Sequence, residues 1–118
     1  LYGATPDGGA DDYGTLYLIS KRGKETILHS FRPSDGVKPI AAPTAVNGTL
    51  YGTTFGKGID YGTIYDLPPG RRLRVLHKFD GQDGKQLSTS LVWSHGFLYG
   101  TTQVGGAHGL GTAFELNP

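Results

Sequence analysis

The chain contains no cysteine, no methionine and a single tryptophan among its 118 residues. Without cysteine there is no disulfide framework and no thiolate metal site. That absence is compatible with an oxidising exterior, where a stray thiol is a liability, but it does not fix the compartment. A translation product needs an initiator methionine, so the chain is expected to be a segment of something longer, opening and closing inside a repeat. No apolar run approaches the ~20 residues of a membrane-spanning helix, and no signal peptide is visible. Eleven basic against ten acidic residues leave a net charge of +1 with the signs interspersed. That balance argues against nucleic acid or an anionic membrane as partner. No apolar i, i+3, i+4, i+7 pattern persists for three turns, so essentially no helix is expected.

What is abundant is glycine, 20 residues, with seven prolines and still 36% apolar residues. The glycines recur among tyrosines and β-branched residues, which suits many short strands joined by tight turns. Leu-Tyr-Gly falls at Leu1-Tyr2-Gly3, Leu50-Tyr51-Gly52 and Leu98-Tyr99-Gly100, at spacings of 49 and 48. A fixed period of this size marks a repeat architecture. One repeat domain therefore spans 1–118, with repeat segments 1–42, 43–90 and 91–118.

Pro43 to Phe79 is one complete unit. Asn47-Gly48 sits between Ala45-Val46 and Thr49-Leu50, and Asn-Gly is the strongest short signal for a two-residue hairpin turn. Strands are expected at Ala45-Val46, Thr49–Thr54, Gly62–Leu67 and Arg72–Phe79, the last entered through Pro68-Pro69-Gly70. The first segment offers Leu1–Thr5, Gly14–Ile19 and Glu25–Phe31, where Ile27, His29 and Phe31 alternate with Leu28 and Ser30 at strand period. The third repeats the pattern, with Ser94-His95-Gly96 at the hairpin and Gly111–Leu116 as its last strand. Gly14 to Phe31 and Gly62 to Phe79 are both 17 apart. The count is ten strands arranged three, four, three, with length changes confined to the glycine-rich loop. Four-stranded antiparallel sheets of this kind are apolar on both faces and need neighbours, as in a β-propeller ring. Two and a half units cannot close one.

The stretch PTAVNGTLYGTTFGKGIDYGTIYDL is similar to a kelch blade. The order LYGTT, glycine-rich loop, GTIY or GTAF, VLHKF, DG resembles more closely the GloVer tandem repeat of bacterial secreted and surface-anchored proteins, over all 118 residues. The resemblance implies an all-β array of antiparallel four-stranded, kelch-like propeller blades, about two and a half of them, and an extracellular or cell-surface location. It implies no catalytic residues and no cofactor.

Side chains that carry chemistry fall at defined repeat positions. His29 and His77 share one position on the last strand, which makes them structural rings whose nitrogens find partners. His95 lies in a hairpin turn and His108 in a loop, both facing solvent. Asp7, Asp11 and Asp12 crowd one loop, but without the spacing of a calcium site, and no metal is expected. Asp35 and Asp83 precede glycine and are expected to bond their own turns. No nucleophile–base–orienter set and no catalytic dyad is expected, so the chain reads as non-enzymatic. Tyr2, Tyr51 and Tyr99, with Tyr17, Tyr65 and Phe114, recur as core between units. Trp93 is assigned to the core or an interface. Asp12-Tyr13 and Asp60-Tyr61 each end a loop as Asp-Tyr-Gly, where a tyrosine beside an acid can stack on a sugar ring and bond its hydroxyls. These four are the candidate ligand contacts.

The expected role is a structural scaffold or an interaction module whose partners are neighbouring repeats of a longer chain or copies of itself, with protein or glycan as ligand. Three rivals stand beside it: a lectin-like propeller, an enzyme with its site in a channel built by further blades, and a subunit of a surface filament.

Overall fold

The structure, a computed structural model describing residues 1–118, contains ten strands and no helix. β1 (Tyr2–Thr5), β2 (Thr15–Ile19) and β3 (Glu25–Ser30) form the first sheet. β4 (Thr44–Val46), β5 (Thr49–Thr54), β6 (Thr63–Leu67) and β7 (Arg74–Lys78) form the middle one. β8 (Val92–Ser94), β9 (Phe97–Thr102) and β10 (Thr112–Leu116) form the third. Every pairing is antiparallel between consecutive strands, so each sheet is a meander within one repeat unit. The three–four–three expectation holds. The last strand of the complete unit, Arg74–Lys78, is shorter than Arg72–Phe79, although the Phe79 amide still donates to the Gly62 carbonyl at 3.0 Å and its ring enters the core.

Local chemistry explains the register. The β4–β5 turn has Asn47 at φ 50° and Gly48 at φ 84°, and the β8–β9 turn has His95 at 50° and Gly96 at 86°. Both are the left-handed pairs whose twist matches antiparallel strands. The glycine of Leu-Tyr-Gly has another cause. Gly52 pairs with Tyr65 across the ladder, and a Cβ on Gly52 would collide with the Tyr65 phenol laid over it. Gly3 beneath Tyr17 and Gly100 beneath Phe114 repeat the arrangement.

A threonine pair recurs in each unit, buried in the middle one: Thr5–Thr15 at 2.8 Å, Thr54–Thr63 at 2.8 Å and Thr102–Thr112 at 2.9 Å. Thr63 and Thr112 also donate at 3.0 Å to the carbonyls of Asp35 and Asp83, in the segment linking the preceding sheet to their own. Sheet and linker are thereby tied by a polar contact that water does not reach at Thr63, which is 1% exposed.

The sheets pack face to face by one rule. Directly opposed residues in a ladder share a face, so Tyr65 and Leu67 look back towards the first sheet, while Ile64 and Tyr51 look forward to the third. Tyr65 meets Leu16 and Phe31 of the first unit, and its ring lies edge-on to Phe31 with centroids 5.3 Å apart. One unit on, Phe114 meets Phe79 at 5.4 Å, and Leu98, Leu87 and Leu91 fill the rest. Burial of a side chain such as Phe31 or Leu98 contributes about 2 kcal/mol each. β4 and β8 are the only strands of different sheets whose Cα atoms come within 8 Å. The second and third sheets therefore come closest at their first strands.

One expectation about the core needs correction. Tyr2 and Tyr99 are 37% and 39% exposed, and Tyr51 is half-buried. These tyrosines sit on the opposite face from Gly3, Gly52 and Gly100; no sheet lies over that face at Tyr99, whereas Tyr2 opens on a cleft beside Leu50 and Leu67 of the second sheet. Trp93, assigned to the core or an interface, is 40% exposed and lies on the face that its partner Leu98 turns towards the second sheet.

Candidate functional site

The segments linking one sheet to the next hold the loops that end in the candidate tyrosines. Lys38 and Gln86, both in the left-handed region at φ 60° and 61°, donate their amides at 3.0 Å to the carbonyls of Tyr13 and Tyr61. Their own carbonyls accept from Phe55 and Gln103 of the following unit. Each linker is thus stitched to the loop behind it and the strand ahead. The glycine after each tyrosine is held at φ 108° (Gly14) and 110° (Gly62), a backbone that suits glycine alone.

This places Tyr13 of the first unit opposite the Lys57–Tyr61 loop of the second, across a groove of about 680 Å³. Val37 and Phe79 are its buried floor, Pro33, Lys57 and Lys78 its rim, and Ile59 a lip that is 94% exposed. Tyr61 also faces a smaller cavity of about 270 Å³ with Lys38 and Lys85 on its wall. The Lys85 ammonium lies 5.5 Å from the centre of the Tyr61 ring, within cation–π range.

Three of the four residues singled out in the sequence, Tyr13, Asp60 and Tyr61, line this groove. Asp12 does not. Its side chain turns back to accept the Gly8 amide at 2.7 Å, which holds Asp12 itself at φ 62°. Asp60 is partly committed as well, one oxygen accepting from the Gly62 amide at 2.9 Å. Of the other acids in the first loop, Asp7 pairs with Lys38 at 3.0 Å. No three His, Asp or Glu side chains converge anywhere in the chain.

The nitrogens of His29 and His77 find partners as expected, and the partners are the aspartates of the following turns. His29 Nε2 lies 2.9 Å from Asp35 Oδ2, and His77 Nε2 lies 2.6 Å from Asp83 Oδ2. The same aspartates accept the amides of Arg32 and Asp80, so the anticipated turn bond is present and the histidine is added to it. Each imidazole also stands edge-on to the phenylalanine two residues on, at 5.1 Å for Phe31 and 4.7 Å for Phe79. The clue was the shared six-residue interval from histidine to aspartate in two copies. Neither imidazole hydrogen-bonds a serine or threonine hydroxyl, and each pair braces the last strand against the linker. Partial burial pushes the Asp83 carboxyl up, but the Asp80 amide and the His77 ring outweigh it and hold it below its ordinary 3.8.

One acid is buried: Asp66, 2% exposed, is paired through both oxygens with the Arg74 guanidinium, whose Nε donates at 2.8 Å. Leu18 and Glu115 occupy the matching ladder positions in the other sheets, so this pair belongs to the middle unit alone.

Across its whole length, residues 1–118, the sequence matches the Gloeobacter/Verrucomicrobia repeat. The chain belongs to that family. The three sheets are thus successive copies of a family repeat, and the loops between them are where copies differ. No curated protein and no solved structure matches the chain. No helix is long and apolar enough to cross a membrane.

Proposed function

We infer that the chain is a non-enzymatic, extracellular or cell-surface segment of a kelch-like β-propeller, serving as a scaffold whose loops carry recognition. The observation that carries this reading is the one-way packing of the sheets. Each internal interface sets the rear face of one sheet, Tyr65 or Phe114, on the forward face of the one before. The outermost faces are the unmatched halves of that contact. Tyr17 and Ile27 lie on the rear face of the first sheet, with Ile27 50% exposed. Val92 and Tyr99 lie on the forward face of the third, 62% and 39% exposed.

Apolar faces of this kind are covered by neighbours in repeat proteins. Closest approach at the first strands, as between the second and third sheets, suits blades set about an axis. The partners are therefore neighbouring repeats, in the same chain or in further copies. The location rests on the resemblance to repeats of secreted and surface-anchored proteins.

Sedimentation velocity of the 118-residue chain across a hundredfold concentration range tests the packing rule. Association that Ile27→Lys or Val92→Glu abolishes is the expected result. A monomer at every concentration, with both open faces exposed to solvent, overturns it.

A further inference from the structure

We propose that the groove between Tyr13 and the Lys57–Tyr61 loop binds an acidic, uronate-bearing oligosaccharide. The inference goes beyond the scaffold reading and does not depend on whether the array closes, because every residue of the groove lies within the first two units.

Three observations carry it. The first is charge. Lys38, Lys57, Lys78 and Lys85 border the groove and the cavity beside it, against Asp60 and the Asp7 that pairs with Lys38. Lys57, Lys78 and Lys85 have no carboxylate partner, so the groove's border carries unpaired positive charge. The second is the pairing of aromatic rings with free hydroxyls. Tyr13 and Tyr61 offer flat apolar surface and phenols that take no protein partner, while their carbonyls are tied to the linkers. Stacking a pyranose face on such rings, with hydroxyls at the rim, is how aromatic side chains hold sugars. The third is that repetition does not explain the groove. The third copy has Gly109-Leu110 where the others have Asp12-Tyr13 and Asp60-Tyr61. Framework positions recur in all three units, and this loop does not. Ile59, 94% exposed, has no packing role in the fold.

Lysine ammonium groups meeting carboxylates account for the acid, and the tyrosines for the ring. A peptide of acidic residues satisfies only the first requirement, and a neutral sugar only the second.

The test titrates the 118-residue chain with tetragalacturonate, cellotetraose and tetraglutamate, followed by amide chemical shifts and calorimetry. The expected result is binding of tetragalacturonate with shifts at Tyr13 and residues 57–61. Affinity for the other two probes should be at least tenfold weaker, and binding should weaken as salt is raised. Tyr61→Ala lowers affinity at least tenfold. Lys57→Glu, at an exposed loop position that leaves the core untouched, lowers it by a similar factor and serves where the tyrosine variant folds poorly. Equal binding of cellotetraose, equal or tighter binding of tetraglutamate, absence of binding, or shifts elsewhere in the chain each overturn the proposal.

Discussion

Replacing Tyr65 with phenylalanine removes a single oxygen from a fully enclosed aromatic ring. Tyr65 is 0% exposed, and its hydroxyl is the one buried side-chain polar atom without a hydrogen-bond partner. Leaving such a group unpaired costs about 1–3 kcal/mol. The ring keeps its contact with Phe31 and its place over Gly52, so little packing is lost. Tyr65→Phe should therefore stabilise the chain by about 1 kcal/mol, raising the melting temperature by roughly 4 °C. Tyr17 holds the same repeat position on the uncovered face, and Tyr17→Phe should change nothing.

Alkaline pH sharpens the comparison. Burial pushes the Tyr65 phenol far above its ordinary 10.0, so the folded state prefers the neutral form. Stability from this residue is complete below pH 10 and falls as pH rises above it, by up to about 1.4 kcal/mol per unit. The phenylalanine variant lacks that slope. Urea unfolding followed by circular dichroism at pH 7 and pH 11 measures both effects. A loss of more than 1 kcal/mol at pH 7, or an unchanged alkaline slope, refutes the account of the buried hydroxyl.

Other perturbations probe the remaining devices. Gly52→Ala drives a Cβ into the enclosed Tyr65 ring and should cost about 1–3 kcal/mol by chemical denaturation. Thr63→Val removes the donor to the Asp35 carbonyl and half of the Thr54 pair; a loss of about 2 kcal/mol is expected in the same assay. Asn47→Ala strains a left-handed turn position and should lower stability by about 1 kcal/mol, whereas Asn47→Gly should not. Asp83 contributes stability above its ordinary 3.8 that disappears as pH falls through its lower folded value. Asp83→Asn should lose that part of the acid dependence, read as a flatter melting-temperature profile between pH 2 and pH 5.

Much of the fold was legible because its signals are local. Asn47-Gly48 dictates a hairpin whatever surrounds it, and β5 runs over Thr49–Thr54 as the alternation there requires. The groove was legible in part. Tyr13, Asp60 and Tyr61 stood out by position, but Asp12 did not belong, because its backbone strain is relieved by the Gly8 amide and its side chain is spent there. The His29–Asp35 and His77–Asp83 pairs escaped notice because each joins a strand to a linker whose path no local pattern reveals.

Period, strand order, hairpin turns and the repeat family follow from the amino acids alone, because each depends on spacing within a few residues or on recurrence every 48 or 49. Burial did not follow, since identical residues meet different neighbours. Tyr65 is sealed beneath Phe31, while Tyr17, its counterpart one unit earlier, looks out from an end sheet. Only the stacking of sheets decides which copy of a repeated residue becomes core and which remains open to a partner, because burial is a property of what lies opposite.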